Sequence, residues 1–369
     1  MSLAKSVLTI VFTSFVLVNC PTSPQFETQN GKELATIGVP EFGGHLFWPA
    51  DDEMFFVGGS GFYAINPSSK EINEILNSEK IPTSSLLNGR NIVYATVVLL
   101  EDKYKIYYLT DERETGFRFN RGSLYELEEG KEPQKIIANI THAKVSNDGL
   151  RVAYVRSGEK RLNDSLFVYD IESKESKYVR KALPLTFSAD NNMLLVDAPE
   201  EQFQLSTIDL VTGETTSLNF DNKYLYQQKE LAISWNAKFP IIAFAEDREQ
   251  FGEDGSALKK WDGESETIEK IWGLPEKESF SLSLPIAWSM DRSMIAKWTN
   301  RCYEGLIGNC AKRRFTLHVI QNASGLSEAV AKTAVSGASL AFSPDGSKLA
   351  YTTSNSSAGE MKLYLINTN

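Results

Sequence analysis

Short apolar runs alternate along the chain with polar, turn-forming clusters in one recurring phrase: an apolar strand, a turn rich in Asp, Asn or Gly, and a second apolar strand. Seven copies align: "WPADDEMFFV" from residue 48, "SLLNGRNIVYA" from 85, "VSNDGLRVAYV" from 145, "FSADNNMLLVD" from 187, "ISWNAKFPIIAFA" from 233, "WSMDRSMIAKW" from 288 and "FSPDGSKLAYT" from 342. Backbone demands choose the turn residues. Asp and Asn bond their own backbone and tolerate left-handed dihedrals, while Gly adopts positive φ with no Cβ to clash. Asp148 and Asp345 are therefore read as structural. In the five clearest copies the serine falls at 146, 188, 234, 289 and 343, so successive spacings are 42, 46, 55 and 54 residues. A period of that length is one propeller blade.

Third and fourth strands can be read between copies, as in "SLFVYDIESKESKYVR" (165–180) and "FQLSTIDLVTGETTSLNF" (203–220). The expectation is an all-β chain folded as a β-propeller of four-stranded antiparallel blades, seven in number, with six as the alternative because the first two copies match most weakly. After the last copy, "MKLYLINTN" supplies a third strand and no fourth, whereas the apolar stretch Leu34 to Val39 precedes the first copy and has no blade. The pattern predicts that this stretch is the outer strand of the last blade, closing the ring with N- and C-terminal segments in one sheet. An open last blade with a stray N-terminal strand is the alternative.

The phrase "LAFSPDGSKLAY" at 340–351 resembles the TolB-type (WD-like) propeller repeat, apolar-Ser-Pro-Asp-Gly-x-x-apolar-Ala-Tyr/Phe, and the resemblance extends over residues 34–369. It implies the same propeller fold, commonly with six blades.

At the N-terminus, Lys5 is followed by an uncharged apolar run from Ser6 to Val18. As a helix it would span ~20 Å, short of the ~30 Å bilayer core, and so it reads as a signal peptide. It ends Leu17-Val18-Asn19-Cys20, which resembles a bacterial lipoprotein lipobox with Asn19 where a smaller residue is usual. The resemblance implies lipidation of Cys20, with ordinary secretion as the alternative. The organisation expected is 1–19 signal peptide, 20–33 flexible tether and 34–369 a single propeller domain. Such a protein would be held in the cell envelope by its N-terminal lipid only, facing the periplasm or the cell exterior. Pro21, rather than Asp, after the cysteine favours the outer membrane by the same resemblance.

Composition narrows the partners. Lys+Arg 38 against Asp+Glu 48 gives a net charge of −10, which repels phosphate backbones, so no nucleic acid is expected. Cys302 and Cys310 share the segment "NRCYEGLIGNC". In an exported protein such a pair reads as a disulfide, with two free thiols as the alternative.

No G-x-S-x-G elbow, H-E-x-x-H pair or Gly-rich phosphate loop occurs, and the chain has three histidines. His45, His142 and Glu230 each stand four residues before the serine-equivalent position of their copy, which places them where innermost strands begin, at the mouth of the central tunnel. They could hold a divalent metal if the blades bring them together, but the preferred reading is polar residues at solvated loop ends, with no metal or cofactor. His318, within "RFTLHVI", is expected to be an ordinary strand residue.

Two classes of function remain. The first is a monomeric, non-enzymatic scaffold for a protein, peptide or cell-envelope partner; the alternative is a tunnel-mouth enzyme of the lactonase or polysaccharide-lyase kind. The residues just before the turns, Trp48, Val145, Phe187, Ile233, Trp288 and Phe342, are mostly apolar and favour the scaffold. Extra residues fall after the second strand in three blades, Glu101 to Arg121, Asp247 to Gly255 and Arg301 to Arg313, on the rim that carries the His45 set. Phe117, Phe119, Phe251 and Tyr303, with Arg118, are the residue types that anchor interfaces and are the candidate partner-binding residues.

Overall fold

A computed structural model describes residues 31–38, 44–58, 61–81, 92–100, 103–110, 122–156, 165–198, 204–220, 232–236, 238–246, 257–274, 279–280, 285–304, 312–333, 337–355 and 360–368. Among them the chain is all-β, with no α-helix, and forms a seven-bladed propeller. After β1 (Lys32–Gly38), blade one is β2 (Gly44–Ala50), β3 (Glu53–Gly58), β4 (Gly61–Ile65) and β5 (Ile72–Asn77). Blade two is β6 (Ile92–Leu100), β7 (Lys103–Thr110), β8 (Gly122–Glu128) and β9 (Gln134–Ile140). Blade three is β10 (His142–Val145), β11 (Arg151–Arg156), β12 (Ser165–Asp170) and β13 (Glu175–Arg180). Blade four is β14 (Leu183–Phe187), β15 (Met193–Ala198), β16 (Gln204–Asp209) and β17 (Thr215–Ser217). Blade five is β18 (Ala232–Asn236), β19 (Phe239–Glu246), β20 (Ala257–Asp262) and β21 (Thr267–Gly273). In blade six the inner strand is split into β22 (Ser279–Phe280) and β23 (Ile286–Trp288), both paired with β24 (Met294–Glu304) and followed by β25 (Lys312–Gln321) and β26 (Ser327–Thr333). Blade seven is β27 (Gly337–Phe342), β28 (Lys348–Asn355) and β29 (Glu360–Asn367).

β1 completes blade seven by pairing antiparallel with β29, Lys32 opposite Leu365 and Gly38 opposite Glu360. The ring thus closes as the orphan stretch predicted, and Leu34 packs into the core shared by blades seven and one.

Why the second strands read as unbroken apolar runs follows from the ring. Each sheet lies against a neighbour on both faces, so "MFFV", "VAYV" and "LLV" in β3, β11 and β15 are buried on both sides. Seven apolar clusters result, one at each blade interface. The outer strands β13 and β17, which cover one side only, are largely exposed.

The repeated turns are locked alike. In blades three, four, six and seven the serine hydroxyl donates to the Asp carboxylate two residues on, at 2.5, 2.6, 2.7 and 2.6 Å. The same oxygen accepts the backbone N–H of Arg151, Met193, Met294 or Lys348, each at 2.9 Å. The fourth turn residue is left-handed, Gly149 and Gly346 in two blades and Asn191 and Arg292 in the others. Asn191 also ties blade four to blade three, its side-chain oxygen accepting the backbone N–H of Asn147 at 2.8 Å.

One copy has a different register. Asn88-Gly89 suggests the hairpin of blade two, yet β6 and β7 pair around residues 101–102, with Leu100 opposite Lys103. The run "NIVYA" is therefore the innermost strand and not the second one. A local Asn-Gly signal flanked by two leucines is outweighed by pairing of the long run "IVYATVVLL" with the alternating "KYKIYYLT". The connection that follows the second strand is then 111–121 alone.

Antiparallel alternation gives the disc two unlike faces. Hairpins between first and second strands and between third and fourth strands emerge on one, here the turn face, and all are short. Connections between second and third strands, and those entering each innermost strand, emerge on the other, the loop face, including 82–91, 111–121, 221–231 and 247–256.

Candidate functional site at the tunnel mouth

Innermost strands line the tunnel and start at the loop face. His45 is the second residue of β2, and His142 the first of β10; Glu230 lies outside the described residues. The His45 ring is half-buried and stacks on Phe47 at 6.3 Å. Burial holds its pKa below the ordinary value, opposed by a hydrogen bond to the Ile92 backbone and assisted by the charge of Lys144. Burial thus favours the neutral form of the His45 imidazole. His142 is exposed, with Nδ1 3.0 Å from the Thr141 hydroxyl. Among the described residues no three His, Cys, Asp or Glu side chains stand close enough together to hold a metal ion.

Among the described residues near the mouth stands the cation Lys144. Its neighbours Ala143 and Val145 turn into the core between blades two and three. Lys144 lies between them, and its ammonium sits 4.6 Å from the centre of the Tyr94 ring on β6, which packs at the edge of the same core. Tyr94 is held in place, its hydroxyl accepting the Val145 N–H at 3.1 Å and bonding the Thr96 side chain. Burial pushes the Tyr94 hydroxyl up to about 12. An ammonium in contact with blade two and within electrostatic reach of His45 on blade one, while rooted in blade three, lies in the tunnel.

Burial also pulls Lys144 from its ordinary 10.5 to about 8, which sets about 3 kcal/mol against the charged form. A desolvated cation–π contact returns ~2 kcal/mol of that. Lys144 remains mostly protonated at neutral pH, and among the described residues no carboxylate pairs with it. Lys105 and Lys260 show the usual arrangement, the first at 3.2 and 3.1 Å from Glu126 and Glu128, the second at 2.9 Å from Glu269.

Lys144 was legible as an exception. The same position, two before the serine, is Phe47, Thr186, Ala232, Ala287 and Ala341 in other copies. Trp48, Val145, Phe187 and Phe342, one place later, are buried in cores between blades, as are Ala232 and Ala341 at the position of Lys144 itself. A further polar group, Asp197 on β15, has one buried carboxylate oxygen without a hydrogen bond, and burial raises its pKa. His318 is packed, its ring 4.8 Å from that of Trp272.

Of the candidate partner-binding residues, Phe117, Arg118, Phe119 and Phe251 lie outside the described residues, between the second and third strands of their blades; Tyr303 is near the loop-face end of β24. Cys302 is on the same strand, opposite Arg313, and Cys310 and Cys20 lie outside the described residues.

No family model and no curated protein matches the chain. Solved structures do. An oligogalacturonate lyase in complex with manganese is 12% identical with a TM-score of 0.60, covering 93% of this chain and 94% of that one. An oligogalacturonate lyase from Vibrio parahaemolyticus is 12% identical with a TM-score of 0.59, covering 94% and 95%. TolB from Acinetobacter baumannii is 13% identical with a TM-score of 0.41, covering 88% and 79%. At such identities the likeness to the two lyases shows the fold, the β-propeller, and nothing finer.

Proposed function

We propose that the protein is a lipid-anchored propeller of the cell envelope that holds a protein partner on its loop face and catalyses no reaction. The direction of β1 carries this reading. Lys32 enters the ring beside Leu365, at the turn-face end of blade seven, so a tether from Cys20 joins the disc on the turn face. From Cys20 to Gly31 the chain reaches about 40 Å at full extension. A lipid on Cys20 therefore keeps the turn face near the bilayer and presents the loop face, with Phe117, Arg118, Phe119, Phe251 and Tyr303, away from it. Among the described residues no helix is long and apolar enough to cross a membrane. A Cys302–Cys310 disulfide would brace one loop of that face, and outer-membrane placement of a monomer completes the reading.

Mass spectrometry of the N-terminal peptide tests the anchor: unmodified Cys20 would remove it. Cross-linking in native membranes tests the face. Phe119→Ala with Phe251→Ala should abolish the cross-linked protein species, and Met290→Ser with Val211→Ser, at exposed positions in turn-face hairpins, should leave it intact. Equal effects of both pairs would sink the reading.

A second reading, a tunnel-mouth enzyme, is supported by the gathering of His45, Tyr94 and Lys144 at one end of the tunnel. Its test is formation of an unsaturated product from oligogalacturonate, followed by ultraviolet absorbance, with and without manganese.

A further inference from the structure

We propose that the loop-face end of the tunnel is an anion site, in which Lys144, backed by the Tyr94 ring and flanked by His45, binds the carboxylate of a small acidic ligand. Such a site needs only the ring, and so stands apart from the lipid anchor and from the protein partner.

An enclosed cation without a counter-charge is the first support. Lys144 is surrounded by protein, yet the residue keeps partial solvent contact. Among the described residues it makes no ion pair, in a chain whose net charge is −10 and whose half-buried Lys105 and Lys260 are each paired with glutamate. A cation left enclosed in this way is neutralised when the ligand brings the negative charge.

The surroundings select what that ligand carries. Tyr94 presents its ring face to the ammonium, because its hydroxyl is already engaged by the Val145 N–H and by Thr96. The His45 ring is held by the Ile92 backbone and brings no negative charge to compete. Among the described residues the site offers one ammonium, set between an aromatic face and an imidazole, and it balances a single negative charge. A planar carboxylate fits that environment, whereas a phosphate dianion would leave one charge uncompensated in an enclosed place. Entry is from the loop face, because His45, Tyr94 and Lys144 are the second or third residues of strands that begin there.

The test uses the full-length protein in detergent, with lysines dimethylated by carbon-13 formaldehyde and the Lys144 signal assigned by its absence in Lys144→Gln. Sodium acetate, acetamide and sodium chloride are titrated in turn, the two salts at constant ionic strength. A saturable shift of the Lys144 signal with acetate, none with acetamide, and a chloride affinity at least tenfold weaker is the expected result. Lys144→Arg, with melting temperature as the check on folding, should keep acetate-dependent stabilisation that Lys144→Gln loses. No shift with acetate, or equal response to acetate and chloride, would overturn the site, and Lys144→Arg, which also lacks the dimethyl-lysine signal, supplies the assignment for the wild-type titration if Lys144→Gln does not fold.

Discussion

Ser343→Ala is expected to destabilise the propeller by about 1–3 kcal/mol, the cost of leaving a buried N–H unpaired. The side chain is 3% exposed, and its oxygen both accepts the Lys348 N–H at 2.9 Å and donates to Asp345 at 2.6 Å. Alanine fits the space but leaves the Lys348 N–H facing a methyl group. Because Ser146, Ser188 and Ser289 make the same two bonds, their alanine variants should each lose about 1–3 kcal/mol as well, and double variants in different blades should add to within ~0.5 kcal/mol. Guanidinium unfolding at pH 7 with unchanged slope measures the loss. A pH dependence follows as well. The Ser343 hydroxyl first, then the Ser347 hydroxyl and backbone N–H, hold the Asp345 carboxyl down at about 2. A depressed carboxyl stabilises the fold above its unfolded pKa, and that contribution is lost as pH falls toward the folded value. The deficit of Ser343→Ala should therefore be smaller near pH 2 than at pH 7. Losses below ~0.5 kcal/mol at all four serines would refute the view that these hydroxyls carry the turns.

Most of the ring is written in the strand–turn–strand phrase because one residue type meets each demand: apolar side chains where sheets face neighbours on both sides, and Ser-x-Asp where the turn must satisfy its own backbone. The closing strand was legible for the same reason, since Leu34 to Val39 was apolar with no other sheet to join. Blade two misled because Asn88-Gly89 is a strong local signal and strand register is decided by long-range pairing, which a short window does not contain. Lys144 was missed for a related reason. Its role depends on Tyr94, 50 residues earlier, and on His45, and only ring closure brings those three innermost strands to one place. The histidines, by contrast, attracted attention by their type, although the described residues form no metal-binding cluster around them.

Deleting residues 32–38 should lower the stability of the whole ring, because it uncovers β29 along a pairing that runs from Leu365 to Glu360; an unchanged melting temperature would contradict closure by β1. Leu34→Asp, which places a charge against the core between blades seven and one, should cost about 2 kcal/mol or more in guanidinium unfolding, and a loss near zero would place that side chain outside the core. Lys144→Met should raise stability at pH 7 by up to about 3 kcal/mol, since it removes the penalty of enclosing an unpaired ammonium. The sign follows from proton binding: the folded pKa, about 8, is below the ordinary 10.5, so between those values the unfolded chain holds more protons and wild-type stability gains on the variant as pH rises. The advantage of Lys144→Met is thus full below pH 8 and shrinks toward pH 10.5; unfolding measured on both proteins at pH 7, 9 and 10 isolates it, and a difference constant across that range would mean that Lys144 is not enclosed.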